Sequence, residues 1–349
     1  MKFSILFGAP NSRGGKDWQD TLDFVIGAEK LGIDSAWSAE AWGMDAVAPL
    51  AYVAAKTERI GLGTGIMQIS ARAPAVTATT ALTMATISGN RFMLGLGASG
   101  PQVVEGLHGV AFSKPMTRMR ETIAILRMAF RGKKLQFPGE HFQLPRLGGE
   151  GKPLRLALAA NPDIPIYLAT LAPRALEVTG ELADGWLGTC FVPEQSHKFT
   201  EHMKRGAERA GRSMTDITLS AQTGLAFGHD VEQIVESLRP GLAFQLGAMG
   251  SAKTNFYNDA FKRSGFEESA TRVQSLWKQG KRAEATAAVA DEMILKTNLI
   301  GTDDMIRERL RAYQAAGIDT ISAAPAGRTV SEKLDALARL LDLARELPA

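Results

Sequence analysis

The sequence predicts a closed (β/α)8 TIM barrel, and three observations predict it. Short apolar runs alternate with amphipathic stretches from one end of the chain to the other, the pattern of parallel strands joined by helices. Eight such units can be counted, and eight parallel strands close a barrel around a packed interior. The junctions also repeat. Leu31-Gly32-Ile33-Asp34 and Ala316-Gly317-Ile318-Asp319 both read helix end, glycine, apolar residue, aspartate, strand, while the segments 58–63 and 90–97 both end a strand in small residues.

The elements follow in order. Residues 2–7 form an apolar run that suits a strand buried on both faces. Over 17–31, Trp18, Leu22, Val25 and Ala28 recur at helical spacing, and Gly32 stands where a C-terminal cap would. The same reading gives strands over 34–39, 59–66, 91–97, 165–169, 184–188, 217–227 and 319–323. Between and after them it gives helices over 46–56, 75–87, 115–130, 173–182, 194–210, 302–316 and 331–347. A barrel of this kind takes about 250 residues, so roughly 100 are left over. Residues 134–144, two alternating runs about Pro138-Gly139, read as a hairpin inside an insertion over 99–164. Residues 229–299 are too long for one barrel helix and read as a lobe of three or four helices over the open end, one of them spanning 283–294. The chain 1–349 is thus read as one barrel domain carrying two insertions.

Composition narrows the function classes. Of 349 residues 45% are hydrophobic, and 40 Lys and Arg against 37 Asp and Glu leave a net charge of +3, too weak a field to recruit nucleic acid or a membrane surface. Cys190 is the only cysteine, which leaves no internal disulfide or cysteine metal cluster and points to the reducing cytoplasm. The N-terminal apolar run is short for a signal peptide, and nothing approaches the ~18 apolar residues of a membrane span. His108, His141, His197, His202 and His229 form no pair at ligand spacing, so no metal is expected; His108 is the one near a candidate site.

In such barrels chemistry sits where strands run into the following helices. The stretch Gly95-Leu96-Gly97-Ala98-Ser99-Gly100-Pro101-Gln102 places glycines, a serine and backbone N–H groups at the end of the fourth strand, where an anion can approach closely. It also fits G-x-G-x-x-G, but a dinucleotide-binding open sheet would carry that motif on its first strand. Ala169-Thr170-Leu171-Ala172-Pro173 offers N–H groups ahead of a helix whose first turn suits Pro173. Gly63-Thr64-Gly65-Ile66 reads as a bulge or a close backbone approach, and Glu40 ends the second strand.

Together these residues resemble the bacterial luciferase-like monooxygenase superfamily, in particular its branch of oxidoreductases that use the deazaflavin coenzyme F420. The resemblance is carried by 36–45, 59–66, 95–106 and 169–188, the last containing Gly180-Glu181-Leu182-Ala183-Asp184-Gly185-Trp186, and by Asn255-Phe256-Tyr257-Asn258 in the lobe. It spans nearly the whole chain, with Ser99-Gly100-Pro101-Gln102 its most specific piece. It implies an enzyme that moves a hydride between coenzyme F420 and a small organic substrate. Ala98, Ser99, Gly100, Pro101 and Gln102, with Ala169, Thr170, Leu171 and Ala172, would hold the cofactor phosphate and ribityl chain. Thr64, Gly65 and Ile66 would meet the ring, with a non-proline cis peptide at Gly65-Ile66. Glu40 would contact the ring and is the candidate proton donor; several relatives carry a histidine after this acidic residue, where this chain has Ala41. Trp42 would then shape the substrate pocket. Basic residues such as Arg72, Lys114 or Arg174 would suit the polyglutamate tail of F420. The resemblance also implies a homodimer. Two alternatives stay open: an FMN-dependent monooxygenase of the same superfamily, and a non-catalytic flavin-binding barrel.

Overall fold

The computed structural model describes residues 1–8, 15–250 and 254–347. Eight parallel strands form the barrel: β1 (Lys2–Phe7), β2 (Ser35–Ser38), β3 (Gly61–Thr64), β4 (Phe92–Gly97), β5 (Ile166–Leu168), β6 (Gly185–Gly188), β7 (Thr218–Phe227) and β8 (Thr320–Pro325). Each strand pairs with the next, and β8 pairs back onto β1 with Lys2 opposite Thr320, so the sheet closes. A closed parallel sheet excludes the open dinucleotide-binding alternative. The helices around it are α1 (Gly15–Leu31), α2 (Val47–Ala54), α3 (Pro74–Ile87), α4 (Pro115–Phe130), α5 (Pro173–Leu182), α6 (His197–Arg209), α7 (Asp303–Ala315) and α8 (Val330–Arg345).

The repeated junction has a physical purpose. Gly32 and Gly317 take φ of 93° and 78°, the left-handed turn that ends α1 and α7. The aspartate two residues on then accepts the N–H of the second residue of the neighbouring strand. Asp34 accepts from Phe3 N at 2.8 Å and Asp319 from Leu219 N at 2.7 Å. Asp184, ahead of β6, likewise accepts from Ile166 N at 2.7 Å. Three carboxylates thus cap backbone donors at the strand starts, away from the C-terminal mouth.

Below the mouth the interior is filled. The Trp37 ring lies across Gly63, where a Cβ would stand 2.2 Å from it, and Tyr167 packs edge-on to Trp37 with ring centroids 5.2 Å apart. Gly185 in turn leaves room for Tyr167. Large rings set against glycines make a plug, not a pore.

The two insertions are present, with differences in detail. Phe137–Pro138 pairs antiparallel with Gln143–Leu144, the expected hairpin, and the Glu121 carboxylate of α4 ties its turn by accepting from Glu140, His141 and Phe142 N. Among the described residues the lobe has five α-helical segments: Val231–Ala248, Phe256–Phe261, Glu267–Lys278, Arg282–Ala287 and Asp291–Thr297. The single helix expected over 283–294 is broken between the last two. Ser269 of another lobe helix holds the break, its hydroxyl donating to Ala288 O and accepting from Ala290 N. After the lobe, Leu299–Gly301 adds a short parallel strand beside the end of β7, at a place where the sequence reading expected no strand. The third strand, expected to reach Ile66, stops at Thr64; the chain resumes as Met67–Gln68 paired with Leu96 and Gly97 of β4.

Candidate active site

The C-terminal mouth is floored by Leu6 of β1 and Leu187 of β6, both partly exposed. On β7, Gln222 is exposed between buried Ala221 and Thr223. Strand side chains alternate in direction, so an exposed residue between buried ones in a barrel strand points into the open mouth. β3 and β7 lie four strands apart in the closed ring of eight, on opposite sides of the mouth.

On the β3 side the Gly65-Ile66 peptide is cis. Gly65 N donates to Ser38 O at 2.7 Å, and the Ile66 side chain lies over Gly97, where a Cβ would come within 2.9 Å of it. Thr64 is fully buried. Its hydroxyl donates to Gly95 O at 2.8 Å and accepts from Gly95 N at 2.9 Å, bridging β3 and β4 where the Thr64 carbonyl crowds Gly95. A Cβ at Gly95 would stand 1.9 Å from that carbonyl oxygen, so glycine is required there. The Thr64 side chain is therefore spent on the wall.

The loop after β4 is open. Ser99 takes a left-handed φ of 58°, and Gly100, extended at the start of the short helix Pro101–Gly106, has nothing within 4 Å of a built Cβ. Behind it, His108 Nε2 is buried without a hydrogen-bond partner among the described residues.

Glu40 is the most heavily engaged of the expected site residues. Its side chain is 8% exposed and forms a bidentate pair with Arg72, Nη1 donating to Oε1 at 2.5 Å and Nη2 to Oε2 at 2.8 Å. Gln68 N donates to Oε1 at 2.9 Å and Ala46 N to Oε2 at 3.4 Å. The hydrogen bond to Glu40 raises the Arg72 pKa above its ordinary value against the opposing effect of burial. A carboxylate accepting four hydrogen bonds fastens α2, the Met67–Gln68 segment and Arg72 together. Arg72 is consequently committed to Glu40 and Asp45. Lys114 pairs with Glu140 on the surface, while Arg174 stays exposed in the first turn of α5. Trp42 stands 61% exposed in the loop after β2.

At the end of β5, Thr170 turns its hydroxyl to Thr179 at 2.7 Å, and its carbonyl accepts from Trp186 Nε1 at 2.9 Å. The Thr170 side chain is thus turned into the wall, while Ala169 and Ala172 stay partly exposed. Arg263, from the lobe, reaches this loop: Nη2 donates to Leu171 O at 2.7 Å. Burial lowers the Arg263 pKa, with Asp259 in partial opposition, and no carboxylate forms an ion pair with it among the described residues. A half-buried cation in this state favours an anion beside it.

Between the ends of β6–β8 and the lobe lies a cavity of about 260 Å³, lined by Thr189, Cys190, Gln222, Gln245, Asn298 and others. Burial pushes the Cys190 thiol up to about 12, so it stays protonated and is no nucleophile near neutral pH. The sequence reading missed Arg263, Gln222 and Gln245. Only Gln222 left a signal, as a polar residue inside an otherwise apolar and small strand.

Fold and mouth define a (β/α)8 barrel with an open C-terminal mouth and a helical lobe on one side. The family is also defined: the luciferase-like monooxygenase model matches residues 1–320, and the chain belongs to that family. It is 36% identical over 316 residues to a putative coenzyme F420-dependent oxidoreductase of Mycobacterium tuberculosis, covering 87% of this chain and 90% of that protein. To the 5,10-methylenetetrahydromethanopterin reductase of Archaeoglobus fulgidus it is 28% identical over 329 residues, 93% of each. Among solved structures, the coenzyme F420-dependent tetrahydromethanopterin reductase of Methanopyrus kandleri shares the fold with a TM-score of 0.78, at 22% identity and 97% coverage of both chains.

Proposed function

We propose that this chain is an oxidoreductase that moves a hydride between coenzyme F420 and a small organic substrate. The observation that carries the reading is the cradle at the mouth. Gly100 has open space where a Cβ would stand, beside Ser99 in its left-handed turn, and the Ala169–Ala172 loop lies against the Arg263 guanidinium, which forms no ion pair among the described residues. The residues fit the group: an apolar floor of Leu6 and Leu187 suits a planar ring, and N–H donors with a cation suit a phosphate. The relative at 36% identity supports the choice of deazaflavin.

Bound there, the deazaflavin supplies two-electron hydride chemistry. The chain's residues do the rest. Ala98–Gln102 and Ala169–Ala172 orient the phosphate end through backbone groups, and Arg263 adds charge. Ile66, backed by Gly97, meets the ring from the β3 side. Glu40 and Arg72 form a positioning pair that fixes the Met67–Gln68 segment behind Ile66. A homodimer belongs to the same reading. The test is a titration of the apo-protein with coenzyme F420 and, in parallel, with FMN, followed by ligand fluorescence. The reading expects F420 to bind at least tenfold more tightly; preference for FMN would replace it with the monooxygenase alternative.

A further inference from the structure

The cavity between the lobe and the ends of β6–β8 has a chemistry of its own. At about 260 Å³ it is smaller than the roughly 300–1,000 Å³ of sites for drug-sized ligands. Among the described residues no Asp, Glu, Lys, Arg or His lines it. Its polar lining is neutral: the hydroxyls of Thr189, Thr223 and Thr297 and the carboxamides of Gln222, Gln245 and Asn298.

Several of these groups are already committed to the protein. Thr223 Oγ1 donates to Gly224 O and accepts from Leu299 N. Thr297 Oγ1 donates to Met293 O. Asn298 accepts from Gly224 N and donates to Ile294 O, tying β7 to the end of the lobe. Thr189 hydrogen-bonds the Cys190 side chain, and two groups are left over. The side chains of Gln222, from β7, and Gln245, from the lobe helix Val231–Ala248, make no hydrogen bond among the described residues. A carboxamide offers two donors and an acceptor but no net charge. The remaining wall is apolar, with Leu238, Leu242 and Phe261 from the lobe. Cys190, held protonated by burial, adds no charge either.

We infer that the substrate taken by this cavity is a small uncharged molecule presenting a hydroxyl, carbonyl or amide group to Gln222 and Gln245, and not a phosphate or carboxylate. An anion here would be desolvated with no cation to meet it, whereas a neutral polar group finds both donors and acceptors. Gln222 also points into the mouth, on the side opposite Ile66, so a ligand it holds faces the space where the cofactor ring is proposed. This inference rests on that reading for its role as substrate, but the preference for neutral ligands belongs to the cavity alone.

The test uses four ligands built on one ring: cyclohexanol, cyclohexanone, cyclohexanecarboxylate and cyclohexyl phosphate. Binding is followed by ligand-observed NMR, with the apo-protein and with protein saturated with F420. The inference expects both neutral members to bind, with the anionic pair at least tenfold weaker. Gln245→Arg should raise carboxylate affinity at least tenfold relative to cyclohexanol, and Gln222→Leu should weaken cyclohexanol several-fold. Equal or tighter binding of the anions, binding of none of the four, or an unchanged ratio in folded Gln245→Arg would overturn it. Failure of F420 to bind would sink the cofactor reading instead, leaving the ratio measured on the apo-protein to decide the cavity's preference.

Discussion

Replacing Glu40 with glutamine separates a structural anchor from a proton donor. In the structure its carboxylate accepts two charge-assisted bonds from Arg72 and two from backbone N–H groups, and its side chain is 8% exposed. A hydrogen bond to a charged group contributes about 1.5–3 kcal/mol, and a buried donor left without a partner costs about 1–3 kcal/mol. The substituted carboxamide would keep one acceptor oxygen but set an NH2 group against the guanidinium. Arg72, 21% exposed with Asp45 at 3.5 Å, would recover part of the loss. The expected cost of Glu40→Gln is therefore about 2–3 kcal/mol. At ~2.1 cal/mol/K per residue, unfolding entropy for a chain of this length is about 0.7 kcal/mol/K, so the melting temperature should fall by roughly 3–4 °C. Calorimetry of the apo-protein measures it, with Arg72→Met and the double variant closing a cycle whose coupling should exceed about 1 kcal/mol. A Glu40→Gln protein that melts with the parent, binds F420 normally and loses turnover would refute the anchor and restore Glu40 as a proton donor.

Three further outcomes are expected. Gly97→Ala meets the Ile66 side chain, Cδ1 and Cγ1 both at 2.9 Å, and should cost about 1 kcal/mol while weakening F420 binding, whereas Gly95→Ala meets the Thr64 carbonyl at 1.9 Å and should cost about 1–3 kcal/mol or block folding, as denaturant melts would reveal. Arg263→Ala should weaken F420 at least tenfold yet leave binding of the deazaflavin nucleoside without phosphate or tail unchanged; equal loss for both ligands would mean that Arg263 only braces the loop. Burial pushes the Glu29 carboxyl up, but backbone N–H groups of Ile60, Arg59 and Glu58, with the Arg59 charge, outweigh it and hold the pKa below the ordinary value. Its contribution is thus fully present above the usual carboxylate range and lost as pH falls through the lowered folded value, so the stability gap between Glu29→Gln and the parent should be widest near neutrality and close in acid.

The barrel was legible because its strands are buried on both faces and its junctions repeat a capping device, Gly32 with Asp34 and Gly317 with Asp319, that leaves a local trace. What the sequence hid lies between distant residues. Arg72 is 32 positions from Glu40 and Arg263 is 92 from Leu171, so no spacing rule links them. Thr64 and Thr170 were expected beside the cofactor, but each hydroxyl is taken by a wall partner, Gly95 or Thr179, that only the closed fold brings near. The lobe helix broke at 288–290 for a similar reason: propensity favours continuing through Ala287 and Ala288, and Ser269 from another helix supplies the competing hydrogen bonds.

The most direct test of the account is a crystal structure of the protein grown with coenzyme F420. The account predicts the deazaflavin at the C-terminal mouth, its ring between Ile66 and Gln222 above Leu6 and Leu187, and its phosphate against Ser99–Gln102 and the Ala169–Ala172 loop with Arg263. A ring bound elsewhere, or a phosphate that touches neither loop, would contradict it.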